Sequence, residues 1–372
     1  MKRGPEAKGA YDLLVAGGGP AGTSAAITAA RLGARVLLLE RGRFPRHKVC
    51  GEFVSPEALG LLESLLSGNP EAEVMLRTAP RISHARAFVA GQCAEFPLPA
   101  PAASIPRCDL DAALWTAAQA AGAEAHQAVA VESIQQDGVF EVATSAGVFS
   151  AKSAVNATGR WSNLNPATPQ RPARGAAWLG IKAHFREQDP AASVDLYFFE
   201  GGYCGVQPLG GGRVNACAMV RSDRARSLEE VFSLHPRLFE RSQRWQPASE
   251  AVVTAPLVFR PPRVLRAGVL QAGDGAGFLD PFIGDGISAA LHSGALAARA
   301  LSDFWQGRVS LKQAALCYQR EYERTLLPAF RTAGRIRWLL HLPAALRAPA
   351  LSMLRVRPVA RYLVSRTRAA VC

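Results

Sequence analysis

The sequence predicts an α/β chain in which a Rossmann-like dinucleotide-binding domain is interleaved with a β-sheet substrate domain and followed by C-terminal helices. Three observations carry this. The stretch Tyr11 to Glu40, YDLLVAGGGPAGTSAAITAARLGARVLLLE, reads as strand, glycine turn, alanine-rich helix and a second strand ending in an acid. Residues 175 to 221 change texture to strands and turns without alanine-rich helices. From Val269 to Leu301 the pattern of strand, glycine turn and small-residue helix returns. A nucleotide fold that starts, yields and resumes assigns 1–80, 101–170 and 264–302 to the first domain and 81–100 and 171–263 to the second. Residues 303–372 form a basic helical segment.

Each element has its own warrant. Gly17, Gly19 and Gly22 stand at the G-x-G-x-x-G spacing directly after the apolar run Leu13 to Ala16. Gly17 permits the tight exit from the strand, Gly19 lets backbone approach a pyrophosphate, and Gly22 lets the helix sit close on the sheet. The helix opening at Pro20 and Ala21 aims unpaired N–H groups and its positive dipole end at the phosphates. Glu40, with Arg41 after it, closes the second strand where a carboxylate accepts the hydroxyls of an adenosine ribose, which favours FAD or NAD over NADP.

A basic loop, RGRFPRHKVCGEFVSP, leads into a helix over Pro56 to Leu66. Residues 80 to 100 alternate like short strands and end in a proline-rich turn, and a helix begins near Asp109. AVAVESI and FEVATSA read as hairpin strands, and SAVNATG as a sheet strand ending in a glycine turn. In the sheet block Trp178, Tyr197, Phe198, Phe199 and Tyr203 are expected to wall a substrate pocket, with aromatic core packing as the plain alternative. No second dinucleotide fingerprint follows, because the glycines at 210 to 212 lie between hairpin strands.

At 372 residues and 49% hydrophobic, the chain buries a large core and is neither disordered nor fibrous. Its seven cysteines form no C-x-x-C pair or zinc-ligand cluster, so reduced thiols, no metal and a cytoplasmic location are expected. Lys2, Arg3 and Lys8 ahead of an apolar run imitate a signal peptide, but that run is the first strand of the nucleotide fold. The net charge of +13 is concentrated at the end: Tyr318 to Cys372 holds eleven arginines against Glu321 and Glu323, 11 − 2 = +9. Such a tail, with basic and apolar residues interleaved, either rests peripherally on an anionic membrane or caps the nucleotide domain with its arginines in water. No nucleic-acid-binding signature accompanies it, so nucleic acid is not expected as a partner.

Together these pieces resemble the flavoprotein family that includes para-hydroxybenzoate hydroxylase, flavin-dependent halogenases and geranylgeranyl reductases. Four motifs spread over about 11 to 300 carry the likeness: GGGPAG at 17 to 22 with Glu40, IPRCDLDAALW at 105 to 115, NATG at 156 to 159, and AGDGAGFLDPFIGDGIS at 272 to 288. The resemblance implies FAD as the cofactor. It places Gly273 and Asp274 at the ribityl chain, Gly284, Gly286 and Ile287 at the pyrimidine edge of the flavin, Arg107 near the diphosphate and ribityl region, and Pro281 at the pocket wall. A plain helix N-cap is the other reading of Asp274, and a surface pair with Asp109 or Asp111 that of Arg107.

The segment VCGEFVSPEAL at 49 to 59 looks most like the geranylgeranyl reductase branch, which implies Cys50 as a catalytic residue close to flavin and substrate. His47 and Lys48 either lower its pKa or are solvated loop charges, and a buried thiol that only packs is the plain alternative. That branch also carries Tyr-x-Trp-x-Phe-Pro, where this chain has Tyr203, Gly205, Gln207 and Pro208, so an isoprenoid substrate is left open. The resemblance implies reduction of a carbon–carbon double bond of a hydrophobic small molecule by hydride transfer from reduced FAD, with NAD(P)H or another reductant as transient electron donor. The alternatives are a flavin monooxygenase acting on an aromatic or polyketide-like substrate, a halogenase, and a flavin-binding module without turnover.

Overall fold

The computed structural model describes residues 10–89, 91–160, 164 and 177–340, with side chains as far as residue 334. Its first sheet runs Leu265–Arg266, Val269–Gln271, Gly147–Asn156, Tyr11–Ala16, Val36–Glu40, Glu124–Gln127, with the hairpin Val131–Asp137 and Val139–Thr144 joined through Gly147–Asn156. Tyr11–Ala16 pairs in parallel with a strand on either side, Leu13 opposite Val36 and Leu14 opposite Ala154. Both faces are covered, so these strands are apolar throughout rather than alternating. Leu13, Val15 and Leu38 pack with Ala25, Leu114 and Leu291 of three helices, Pro20–Arg31, Arg107–Ala120 and Gly286–Trp305. Leu14, Leu37 and Leu39 pack with Phe140 and Val142 on the other face.

The small residues of two of these helices have a steric cause. A Cβ on Gly294 would lie 2.0 Å from the Ala21 carbonyl oxygen, so the helices meet backbone to backbone, and Ser24 Oγ donates to the Leu291 carbonyl at 2.7 Å. That contact holds the two glycine-rich turns side by side.

The second sheet runs Gln246–Pro247, Trp178–Arg186, Arg213–Arg221, Gly202–Gly210, Ser193–Phe199, Arg81–Val89, Gln92–Ser104, Phe53–Val54. Along Trp178–Arg186 the pattern alternates. Ile181, Ala183 and Phe185 pack with Val231 and Leu238 of two short helices, Leu228–Ser233 and Pro236–Ser242, while Lys182 and His184 take the opposite face. The sequence reading missed these two helices, each too short to show periodicity.

Other differences are local. The proline-rich stretch after Phe96 is strand, not turn, and continues to Ser104. Its register against Arg81–Val89 shifts between Ile82 opposite Ala102 and His84 opposite Pro97, and this bulge takes up Pro99 and Pro101 without breaking a ladder of N–H donors. Phe53–Val54 pairs with Ala103 and Ser104, so the second sheet reaches past residues 81–100 on both sides. The helix placed near Asp109 opens at Arg107. Among the described residues no helix is long and apolar enough to cross a membrane. The described part of the basic tail contains two helices, Leu311–Thr325 and Leu327–Leu340, and its segments HLPAAL and MLRVRPVARYLV lie outside the described residues.

Candidate active site

Residues of both sheets line a cavity of ≈ 650 Å³, within the span of about 300–1,000 Å³ typical of ligand sites. Gly17, Gly19, Pro20, Ala21, Glu40, Arg41, Arg107, Gly273, Asp274, Gly284, Gly286 and Ile287 border it, as do Cys50, Tyr203 and Pro281. Gly22 lies behind the turn, where a Cβ would come 1.8 Å from the Gly17 carbonyl oxygen. Gly17 has φ +103 and a Cβ there would meet the Ala157 carbonyl oxygen at 2.4 Å. Gly19 differs: its Cβ would meet only Lys48 Nζ, at 3.6 Å, so the space beside it is open to the cavity.

At this end the charges are arranged for an anionic ligand with a ribose. The Glu40 carboxylate accepts from the N–H groups of Gly18 and Gly42, both at 2.8 Å, and pairs with Arg46 Nη2 at 2.7 Å. Burial alone would raise its pKa, but these donors outweigh burial and hold it below the usual carboxylate value. Arg107 pairs with Asp111 through Nε and Nη2, each at 2.8 Å, and Lys48 Nζ reaches the same carboxylate at 3.1 Å. The Arg107–Asp111 pair is thus real but buried, with Asp111 fully enclosed and Arg107 on the cavity wall. The sequence reading named Asp111 only as a surface partner of Arg107 and Lys48 only as a neighbour of Cys50; it did not foresee that Asp111 positions both cations or that the Lys48 ammonium overlooks Gly19.

At the second glycine turn, Asp274 sits in a single 3-10 turn, Gly273–Gly275, and the helix begins only at Gly286 after a left-handed Gly284. Asp274 is therefore no N-cap of that helix. Burial raises its pKa, against the pull of Arg160, Arg107 and Lys48, and Arg160 Nε lies 3.5 Å from its carboxylate. Asp285, which caps the helix, accepts from Ser55 Oγ at 2.7 Å and ties it to the segment after Cys50.

Cys50 takes its environment from neither His47 nor Lys48. Burial raises the thiol pKa, the Arg107 guanidinium opposes it, and the net shift is upward, so the group is protonated at neutral pH. Lys48 is committed to Asp111. His47 has its own pKa lowered by burial and by Lys182 and His184, which leaves the ring neutral.

Beside Cys50 lies a cluster that the sequence did not reveal. Glu52, at φ 61 and fully enclosed, accepts from Lys182 Nζ at 2.8 Å and from the Arg107 backbone N–H at 2.9 Å, and its other oxygen meets His184 Nε2 at 2.7 Å. Burial would raise the Glu52 pKa, but His184 and Lys182 bring it below the usual value. The IKAHF alternation put Lys182 and His184 on one face. It carried no sign that this face is covered.

The predicted wall residues divide by strand parity. Phe198 and Tyr203 belong to the apolar cluster with Met219 and Leu257, and the cavity is bordered by Tyr203, Met219, Leu257, Phe278 and Phe53. Tyr197 and Phe199 face the other way and are corrected to core. Tyr197 stacks on Phe88 at 4.5 Å and accepts from Arg241 Nη1 at 3.0 Å, beneath the two short helices. Trp178 packs at the edge of the Phe198 cluster without reaching the cavity lining.

Two family models described as FAD dependent oxidoreductase match the chain, one over residues 12–45 and one over 103–301. The chain belongs to the FAD-dependent oxidoreductase family. Among curated relatives, a menaquinone reductase of Mycolicibacterium smegmatis is 28% identical, over 90% of this chain and 86% of that protein. Digeranylgeranylglycerophospholipid reductase 2 of Methanopyrus kandleri is 29% identical, over 87% of this chain and 86% of its own length. A solved flavin-dependent brominase superposes with a TM-score of 0.78 at 20% identity, covering 96% of this chain and 94% of the brominase, which establishes the shared fold.

The residues present fit FAD. The open space at Gly19 under Lys48 and Arg107 suits a diphosphate, and Glu40 at the strand end suits the adenosine ribose.

Proposed function

We propose that this FAD-dependent oxidoreductase reduces a carbon–carbon double bond of a hydrophobic small molecule, with NAD(P)H or another reductant as its electron source. The observation that carries the reading is that Cys50 borders the same cavity as the apolar Phe53, Tyr203, Met219, Leu257 and Phe278, with burial raising its thiol pKa. When bound and reduced by the external donor, the flavin would supply a hydride to one carbon. Cys50 Sγ gives its proton to the other carbon, and the Arg107 guanidinium beside it stabilises the thiolate that remains. Lys48, Arg107 and Gly19 would hold the diphosphate, Glu40 the ribose and Asp274 the ribityl chain. The apolar wall excludes water and seats a greasy substrate, in keeping with the hydrophobic molecules named for the two reductase relatives.

The test uses chemically reduced enzyme without oxygen. Stoichiometric saturation of a prenylated quinone or isoprenoid is the expected result. Substrate-stimulated oxygen uptake without anaerobic reduction would replace this reading with a monooxygenase. Cys50→Ala should keep its full flavin content and lose about 10²–10⁴-fold in turnover, the usual contribution of a general acid.

A further inference from the structure

The segment between the second sheet and the first, residues 256 to 266, is PLVFRPPRVLR, and its path encloses a second cavity of ≈ 320 Å³. Arg260, Arg263 and Arg266 line it together with Arg160, against Asp274 as the only carboxylate among the described lining residues. Arg160, Asp274 and Phe278 also border the large cavity, so the two adjoin at the Asp274 turn.

Arg160 is held in an unusual way. Its guanidinium lies 4.0 Å from the Phe278 ring centroid and Nε 3.5 Å from Asp274, yet Nη1 is buried with no hydrogen-bond partner among the described residues. Burial lowers its pKa, so the cation is under-compensated where it stands. A buried donor left unmade is costly, and a planar guanidinium fork matches the oxygens of a phosphate. Pro256, Pro261 and Pro262 fix the backbone around the arginines, so binding an anion there orders little chain.

We propose that this second cavity is a phosphate-binding subsite adjoining the flavin cleft. Its ligand is a phosphate or diphosphate group on a molecule whose other end enters the large cavity. Two molecules present that chemistry to a double-bond reductase: a reduced pyridine nucleotide, for which the chain has no second glycine fingerprint, and a phosphorylated lipid substrate. The identity of the entering molecule rests on the function proposed above. The anion site does not.

The test compares the flavin-loaded wild type with R263A/R266A and R263K/R266K, titrating inorganic pyrophosphate by calorimetry and NADPH by anaerobic flavin reduction. The expected result is pyrophosphate binding at least about tenfold weaker in the alanine variant and largely kept in the lysine variant. If the donor is the source, the apparent Kd for NADPH rises in parallel while the limiting reduction rate stays unchanged. If the substrate is the source, NADPH is unaffected, and KM rises for a phosphorylated isoprenoid but not for the corresponding alcohol. Equal pyrophosphate affinity in all three proteins overturns the subsite. Flavin content, read from absorbance before each titration, reports separately on the cofactor reading.

Discussion

Replacing Glu52 by glutamine keeps the shape of a fully enclosed side chain and removes its charge. Lys182, itself 0% exposed, then keeps a buried ammonium whose nearest anion is gone, with an amide oxygen in its place. Deleting one partner of a buried ion pair costs about 3–5 kcal/mol, a large share of the roughly 5–15 kcal/mol by which domains are stable. The reverse deletion is milder. In Lys182→Met the Glu52 carboxylate still has His184 Nε2 and the Arg107 N–H, at 2.7 and 2.9 Å.

Glu52→Gln combined with Lys182→Met removes both members of the Lys182–Glu52 ion pair, and replacing a buried pair whole is often neutral. Urea unfolding of the four proteins closes a double-mutant cycle. Glu52→Gln is expected to lose about 3 kcal/mol or more, and the double variant to recover most of it. A loss below about 1 kcal/mol in Glu52→Gln, or a double variant as unstable as the single, would refute the picture of a desolvated pair. The pH dependence has a definite sign. Because the folded Glu52 pKa lies below its ordinary value of 4.5, its contribution is complete above that pH and disappears as pH falls through the folded value, so Glu52→Gln should flatten the acid limb of stability.

Gly19→Val should fold normally, since its backbone is extended at φ −77 and the new side chain enters open space, but it should purify colourless; retained flavin absorbance would displace the diphosphate from this turn. Gly22→Val, whose Cβ would lie 1.8 Å from a carbonyl oxygen, should fail to give soluble folded protein by circular dichroism. Tyr197→Phe removes the hydrogen bond from Arg241 on the far face of the sheet. It should lower stability by about 0.5–1.5 kcal/mol in urea unfolding and leave substrate KM alone, whereas Leu257→Ala on the cavity wall should raise KM.

What the sequence disclosed follows from the range of the interactions. The two glycine turns, Glu40 and the resumed nucleotide pattern rest on spacings within about thirty residues, where steric rules act locally, and the structure brings those loops to one cavity. Glu52 is separated from Lys182 and His184 by 130 and 132 positions, and each reads alone as an ordinary loop or strand charge. Tyr197 and Phe198 show a different limit. Alternation puts them on opposite faces with certainty, but both faces are covered, one by helices and one by the cleft, so apolar character does not tell which is which. Lys48 was legible as a cation and not as a ligand-facing one, because Asp111, which turns it toward Gly19, sits on a helix whose apolar pattern drew attention to its other face.

The placement of Cys50 on the cavity lining depends on ionic contacts more than on apolar ones. The two main apolar clusters centre on different sheets, with Val54 and Ala103 of the second sheet reaching into the cluster of the first, and because apolar packing is non-directional it brings the sheets together without fixing their relative position. Glu52 supplies direction: it joins the loop after Cys50 to Lys182 and His184 of the second sheet and to the Arg107 N–H at the start of a first-domain helix. Asn215 Nδ2 adds bonds to the carbonyls of Cys50 and Gly51 at 3.0 and 2.9 Å. A left-handed non-glycine residue costs about 1–3 kcal/mol, and a buried ion pair returns little net stability, so this junction is a poor way to stabilise the chain and a good way to position it. The double variant separates the two roles. With stability recovered, flavin content intact and turnover lowered about tenfold or more, positioning is established; wild-type turnover in that variant would show that the sheets hold Cys50 in place without the charges.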